Sequence, residues 1–253
     1  MSFADHFGQI AARYAAYRPR YPQQLVDTLR AETRGDTAWD VGCGNGQLSV
    51  GLAEQFARVI ATDPAQAQLD SAEPHSRIEY RRAPAEASGL PDASVDLIVA
   101  AQAAHWFDWP RFLAEVARVS RPAALIALVS YGNMEGVGEP EGMTDGEAAL
   151  AEYRAAAAPY WPPGREHVDN GYRDLVLPWP AVPAPAIEMT ATWSRDELVG
   201  YISSWSATHR LVEAAGPAPF DALRTALART WPDGETRVIR FPLALRFARF
   251  RAS

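Results

Sequence analysis

The sequence is poor in cysteine, lacks a basic excess and has no long apolar run. Each absence narrows what the chain can be. Cys43 is the single cysteine among 253 residues. That excludes an intramolecular disulfide, leaves no cysteine cluster for zinc, and agrees with a reducing cytosol. Acidic side chains outnumber basic ones, 31 to 24, for a net charge of −7. A nucleic-acid partner would require a basic face, so none is expected. The uncharged run Pro122–Met134, among the longest, is too short to span a bilayer and is interrupted by proline and glycine. Met1–His6 carries an acid and no basic stretch, unlike a secretory leader. Internal repeats and low-complexity tracts are also missing. The expectation is a cytoplasmic monomer or homodimer without membrane, metal or nucleic-acid partner. At this length a 48% hydrophobic share can bury a core without cross-links.

What is present centres on Trp39-Asp40-Val41-Gly42-Cys43-Gly44-Asn45-Gly46-Gln47-Leu48. An apolar strand runs into a loop with glycine at alternating positions, then into a helix. Glycine lets backbone approach a ligand without an intervening Cβ, and a helix N-terminus offers unpaired N–H groups. Asp63 ends the next apolar run, about twenty residues on, where dinucleotide folds place a ribose-binding acid.

Around this loop, short apolar runs at Thr37–Val41, Arg58–Thr62, Ile78–Arg82, Val95–Ala101 and Leu125–Ser130 alternate with helical segments near 23–32, 47–55, 65–72 and 109–119. Asp108 is placed to cap the last, with Pro110 in its first turn. The spacing predicts an α/β fold, with a mostly parallel sheet and helices on both faces. Phe3, Phe7, Ile10, Tyr14 and Tyr17 form one helical stripe, read as a lid over 1–34 or simply as core cover. The cofactor-binding core is expected over 35–131. Residues 132–186 hold eight of the twenty prolines and one alanine-rich helix from about Asp145 to Ala158, so an irregular cap without sheet is expected there. Over 187–253, a strand Ile187–Trp193, helices Arg195–Ala207 and Pro217–Trp231, and one long bulged strand ending near Phe250 are expected to complete the sheet.

The glycine pattern is G-x-G-x-G, one residue shorter than the nicotinamide loop G-x-G-x-x-G. With Asp40 in the strand end, it resembles the first motif of class I S-adenosylmethionine-dependent methyltransferases, which have a Rossmann-like seven-stranded sheet. Asp63, Ala83-Pro84-Ala85-Glu86, Leu90–Asp96, Gln102–Phe107 and Glu115–Pro122 match later motifs, so the resemblance covers roughly 36–131. Tyr17–Pro22 and Ser204-Trp205-Ser206 are similar to the branch related to trans-aconitate methyltransferases.

The resemblance implies S-adenosylmethionine as cofactor and assigns roles along the chain. Asp40 would receive its ammonium, and Gly42 and Gly44 would allow close approach. Asp63 would bind the ribose hydroxyls and Pro64 would pack on adenine. Gln102 and Ala103 would face the crevice at the end of the fourth strand. Tyr14 and Arg18 would close over the methionine end, Arg18 meeting its carboxylate. Pro84 stands where many relatives have an acidic or hydroxyl residue, which leaves adenine to the Ala85 N–H and to Glu86. Ala123-Ala124 replaces a glycine pair before the fifth strand. Alanine is strained at positive φ, so a different turn is expected there.

The methyl acceptor is a separate question. Methyl transfer is an in-line displacement that needs positioning and exclusion of water; an ionised carboxylate needs no base, whereas a hydroxyl or amine gains from one. His105 is the best-placed base, the alternative being a histidine satisfied by neighbouring backbone beside Trp106 and Phe107. His209 is a weaker candidate. Of Trp106, Trp161, Trp179 and Trp205, we take Trp106 and Trp205 as the substrate wall, against plain core packing. Three functions stay open: a methyltransferase for a small molecule, most simply at a carboxyl or hydroxyl oxygen; one for a protein or nucleic acid; and a non-catalytic cofactor-binding protein or nicotinamide oxidoreductase. The loop spacing argues against the oxidoreductase, and loss of activity stays open.

Overall fold

The structure is a computed structural model that describes residues 17–137 and 145–251. Helix α1 (Gln23–Glu32) starts after Pro22 and buries Leu25, Val26 and Leu29. Then come β1 (Thr37–Val41), α2 (Gln47–Gln55), β2 (Arg58–Asp63), the short α3 (Gln66–Leu69), β3 (Ile78–Arg82) and β4 (Val95–Ala101). Helix α4 (Trp109–Val119) begins as the sequence suggests, with the Asp108 carboxylate accepting from the Arg111 N–H and Pro110 in the first turn. Strand β5 (Ser120–Tyr131) follows without a break. Next are β6 (Glu135–Val137), α5 (Asp145–Ala157), α6 (Arg165–Asp169), β7 (Ala181–Val182), β8 (Met189–Ser194), α7 (Arg195–Ser203), α8 (Ser206–Ala215), α9 (Ala218–Thr230), β9 (Thr236–Phe241) and β10 (Leu243–Arg249).

Described residues fall into two compact units, a larger one of 20–133, 166–189 and 242–251 and a smaller one of 17–19, 134–137, 145–165 and 190–241. The larger holds a seven-stranded sheet in the order β3-β2-β1-β4-β5-β10-β7. The first five strands are parallel, and β10 runs antiparallel to both β5 and β7. Successive residues face opposite sides of the pleat. Ala38, Val59, Leu97, Val99, Leu125 and Ala127 therefore pack on one side with Leu25 and Leu29 of α1 and Leu48 and Leu52 of α2. Trp39, Val41, Ile60, Ile98, Ala100 and Ile126 pack on the other with Phe112 and Val116 of α4 and Tyr172 and Leu175. Each such large side chain contributes roughly 1.5–3 kcal/mol when fully buried. Because β2 lies on one side of β1 and β4 on the other, the strand order reverses at β1, and its carboxyl end is the switch point at which open α/β sheets bind ligands.

The smaller unit has a three-stranded sheet, β6-β9-β8, and helices α5, α7, α8 and α9, with α5 packed on α9. This departs from the expected sheet-free cap: β6 pairs antiparallel with β9, although its three residues are too few to show a period. Residues 166–186 belong with the larger unit. The single closing strand is in fact two strands. Pro242 has no N–H for a ladder, and at that point the chain leaves the small sheet as β9 and enters the large one as β10. The Pro242 carbonyl instead accepts from the Gly132 N–H at 3.1 Å. The helix expected over 195–207 stops at Ser203, where the Ser204 hydroxyl turns back to the Tyr201 carbonyl at 2.6 Å; α8 is then a new helix. The turn at Ala123 does not avoid strain as expected. Ala123 has φ 64° within a bulge between the Val95–Ser120 and Leu97–Leu125 pairings.

Candidate functional site

The glycine loop joins β1 to α2 at the switch point. Gly42, Gly44 and Gly46 have φ of 68°, 56° and 80°, all in the left-handed region where only glycine is unstrained. A Cβ on Gly42 would lie 2.5 Å from the Ala103 Cβ, and one on Gly46 would collide with the Tyr80 hydroxyl. Gly44 is different. Among the described residues, a Cβ there would meet only Gln68 Oε1, at 3.8 Å. Beside it, Gln68 Oε1 is buried without a hydrogen-bond partner. The loop is fixed from beneath: the Gly42 and Cys43 N–H groups both donate to the Thr62 carbonyl, at 2.8 and 2.9 Å. Asp63 holds its rim, accepting from the Gly44 N–H at 3.0 Å and the Ala65 N–H at 2.8 Å. Two such bonds leave lone pairs on both carboxylate oxygens. Pro64 beside it is exposed.

Asp40 lies under the loop at 1% exposure. Its carboxyl accepts from the Ser49 hydroxyl at 2.6 Å. Burial pushes its pKa up to about 7; the Ser49 bond opposes this and the charge of Asp63 adds to it. Burial, with Asp40 and Asp63 adding, likewise pushes the Cys43 thiol up, so it is no nucleophile.

At the end of β4, Gln102 is in left-handed backbone at φ 54°, a conformation unusual for a residue with a side chain. Its amide is committed to the neighbouring strand: Nε2 donates to the Tyr131 carbonyl at 2.9 Å and Oε1 accepts from the Tyr131 N–H at 3.3 Å. The side chain is thus a clamp, not the open cofactor contact expected of it. Ala103 is buried, its methyl against Gly42. Ala85 is also buried, in the core that includes Phe112. Glu86 Oε1 accepts from the Asp108 N–H at 2.8 Å, which leaves lone pairs on its carboxylate.

A one-turn 3-10 helix, Ala104–Trp106, follows β4 and carries His105. Its Nδ1 is 2.9 Å from the Tyr172 hydroxyl, a side-chain contact that the reading of neighbouring backbone did not include. Trp106, 4.8 Å from the His105 ring, is 61% exposed. Tyr172 escaped the sequence reading because it lies in the proline-rich stretch, 67 residues from its partner; the Gly171-Tyr172 pair was the available signal of a special turn.

Tyr14 lies outside the described residues. Arg18 belongs to the smaller unit, its guanidinium 5.6 Å from the Tyr201 ring centroid. Trp205, also there, is 2% exposed and packs on Trp161 and Tyr201 at 5.5 and 5.6 Å. It is interior packing, not the open substrate wall expected. Trp179 packs edge-on to Phe250 in the larger unit. His209 is an exposed residue of α8. Among the described residues no cluster of three or more potential metal ligands occurs, and no helix is long and apolar enough to cross a membrane.

Strand order, glycine loop and the acid after β2 define a Rossmann-like binding fold, and comparison with known proteins gives its family. The methyltransferase domain family matches residues 39–128. A candidate methyltransferase from Dictyostelium discoideum is 32% identical over 247 residues, covering 95% of this chain and 93% of its own length. The solved structure of a candidate type II methyltransferase from Anaeromyxobacter dehalogenans is 42% identical with a TM-score of 0.83, covering 92% of this chain and 98% of that one. The malonyl-acyl-carrier-protein O-methyltransferase of Serratia marcescens is 32% identical over 169 residues, 62% of this chain and 66% of that protein. The chain belongs to the class I S-adenosylmethionine-dependent methyltransferases, and S-adenosylmethionine is its cofactor.

Proposed function

We propose that the protein transfers the methyl group to a carboxyl or hydroxyl oxygen of a small molecule, with the cofactor seated on the glycine loop. The observation that carries this placement is the open position over Gly44, where a Cβ would fill space bordered by the unpartnered Gln68 Oε1. The donor set fits the cofactor's chemistry. Asp40, buried and lacking a cationic partner among the described residues, is suited to its ammonium. The spare lone pairs of Asp63 suit two ribose hydroxyls, and the exposed Pro64 ring suits one face of adenine. Gly42 and Ala103 keep the floor of the loop tight, and the buried Ala85 shapes the turn after β3.

When bound, S-adenosylmethionine supplies a methyl group already activated by a positive sulfur. The protein then has to align the acceptor oxygen and exclude water. Trp106 offers an exposed ring against which an acceptor can lie, and His105 a polar group beside it. The named oxygen chemistry of the Serratia relative and the net charge of −7 support a small oxygen acceptor over a nucleic acid. Tyr17–Pro22 and Ser204–Ser206, which are similar to the trans-aconitate methyltransferase-related branch, point the same way. A cytoplasmic monomer or homodimer completes the reading.

The test is a labelled-methyl screen over small carboxylic acids, phenols and amines, with added peptide and RNA as controls. Label recovered as a methyl ester or ether supports the proposal. Label entering only peptide, RNA or an amine overturns it.

A further inference from the structure

We propose that Arg154 is an anion-binding residue of the smaller unit and that its ligand is the carboxylate of a small organic acid. This binding goes beyond the methyl-transfer reading and does not rest on it.

Arg154 lies in the last turn of α5. Its Nη2 donates to the Met134 carbonyl at 2.7 Å, while its Nε is buried with no hydrogen-bond partner. Nη1 is not buried and, among the described residues, makes no hydrogen bond. The guanidinium is thus anchored at one end and open at the other. Among the described residues no carboxylate pairs with it. Tyr201 is near enough to act on its charge, and the Arg18 guanidinium stands 5.6 Å from the centroid of that same ring. Two cationic groups therefore gather around one phenol, all within the smaller unit.

Such a group is under-compensated. Burial pulls the Arg154 pKa below the ordinary arginine value, with Tyr201 opposing, yet the side chain stays charged at any accessible pH. The fold therefore bears the desolvation of a cation and supplies no counter-charge to offset it. The carbonyl end of α5 contributes partial negative charge but no hydrogen bond to Nε. A buried N–H is seldom left without a partner, and a neutral donor could hold the Met134 carbonyl at lower cost. An anion at the open Nη1 end supplies what the chain does not. The planar guanidinium matches the two coplanar oxygens of a carboxylate, which also brings the single negative charge that Arg154 lacks.

The test uses the full chain labelled with 15N-arginine, the Arg154 Nε–H signal being the one lost in Arg154→Lys. The probes are acetate, succinate and benzoate, each against its uncharged amide, with inorganic phosphate as a further arm. At least one carboxylate should move the Arg154 signal saturably, with a dissociation constant in the millimolar range or tighter, while its amide leaves the signal in place. The same acid should raise the melting temperature of the wild type and leave that of Arg154→Met unchanged. No shift with any carboxylate, an equal shift with the amide, or a response to phosphate alone overturns the proposal. So does a rise in melting temperature that survives Arg154→Met. A mere brace for the Met134 carbonyl would give a less stable Arg154→Met with both proteins indifferent to acid, which also overturns it. If Arg154→Met does not fold, the wild-type spectrum decides. No cofactor or turnover enters these measurements, so failure of the methyl-transfer reading would leave the result standing.

Discussion

Asp40 is a carboxyl group folded into a place that disfavours its charge, and this gives stability a pH dependence. Its pKa is about 7 in the fold against 3.8 for the free group. A raised folded-state pKa means the group binds its proton more tightly in the native state. Its stabilising contribution is complete below about pH 4 and is lost as pH rises to 7. The span corresponds to roughly 4 kcal/mol as an upper bound. Asp40→Asn should therefore raise the melting temperature of the ligand-free protein at pH 8 and leave it nearly unchanged at pH 4. An equal effect at both pH values would show that Asp40 does not titrate between them. The same substitution should weaken cofactor binding, because an ammonium beside Asp40 restores the charged form. Asp63 acts differently, through hydrogen bonds to the loop. Asp63→Ala should cost roughly 1–3 kcal/mol in the binding of S-adenosylhomocysteine measured by calorimetry. Unchanged affinity would remove Asp63 from the ribose site.

At the scale of elements, the strain at Ala123 is measurable. A left-handed φ costs an L-residue roughly 1–2 kcal/mol, which glycine escapes at some expense in chain entropy. Ala123 is exposed, so Ala123→Gly loses no packing. It should raise stability by about 1 kcal/mol, seen as a higher denaturation midpoint with unchanged slope. A lower midpoint would mean that the Ala123 methyl contributes more than the strain removes. The elements legible in the sequence are those whose own residues dictate them. β1 and β4 fall at the expected residues because apolar runs between helices have one stable place, buried inside a parallel sheet, and the edge strand β3 also falls where expected. Those that were missed depend on distant partners. β6 and β7 have three and two residues and exist because β9 and β10 offer them ladders. The separation of β9 from β10 at Pro242 reflects two different sheets, which local alternation cannot distinguish.

For the molecule as a whole, the glycine loop and the acids beside it were legible in the sequence, and the long-range contacts of the 3-10 turn after β4 were not. Gly42, Gly44, Asp40 and Asp63 are close in sequence and announce themselves by residue type. The contact of His105 with Tyr172 joins residues 67 apart, and nothing local to either reveals it. If the folded chain alone binds S-adenosylhomocysteine, ligand at a hundred times its dissociation constant should add about 2.7 kcal/mol of stability. The most direct test of the cofactor placement is calorimetric titration of S-adenosylhomocysteine into wild type and Gly44→Ala. Among the described residues no atom beyond its two chain neighbours lies closer than 3.8 Å to the added methyl, so the variant should fold, with only the strain of its φ of 56°. A wild-type dissociation constant in the micromolar range, roughly 7–8 kcal/mol, with affinity at least tenfold weaker in a folded Gly44→Ala, is the expected result. Equal affinity in the two proteins would contradict the placement of the cofactor over Gly44.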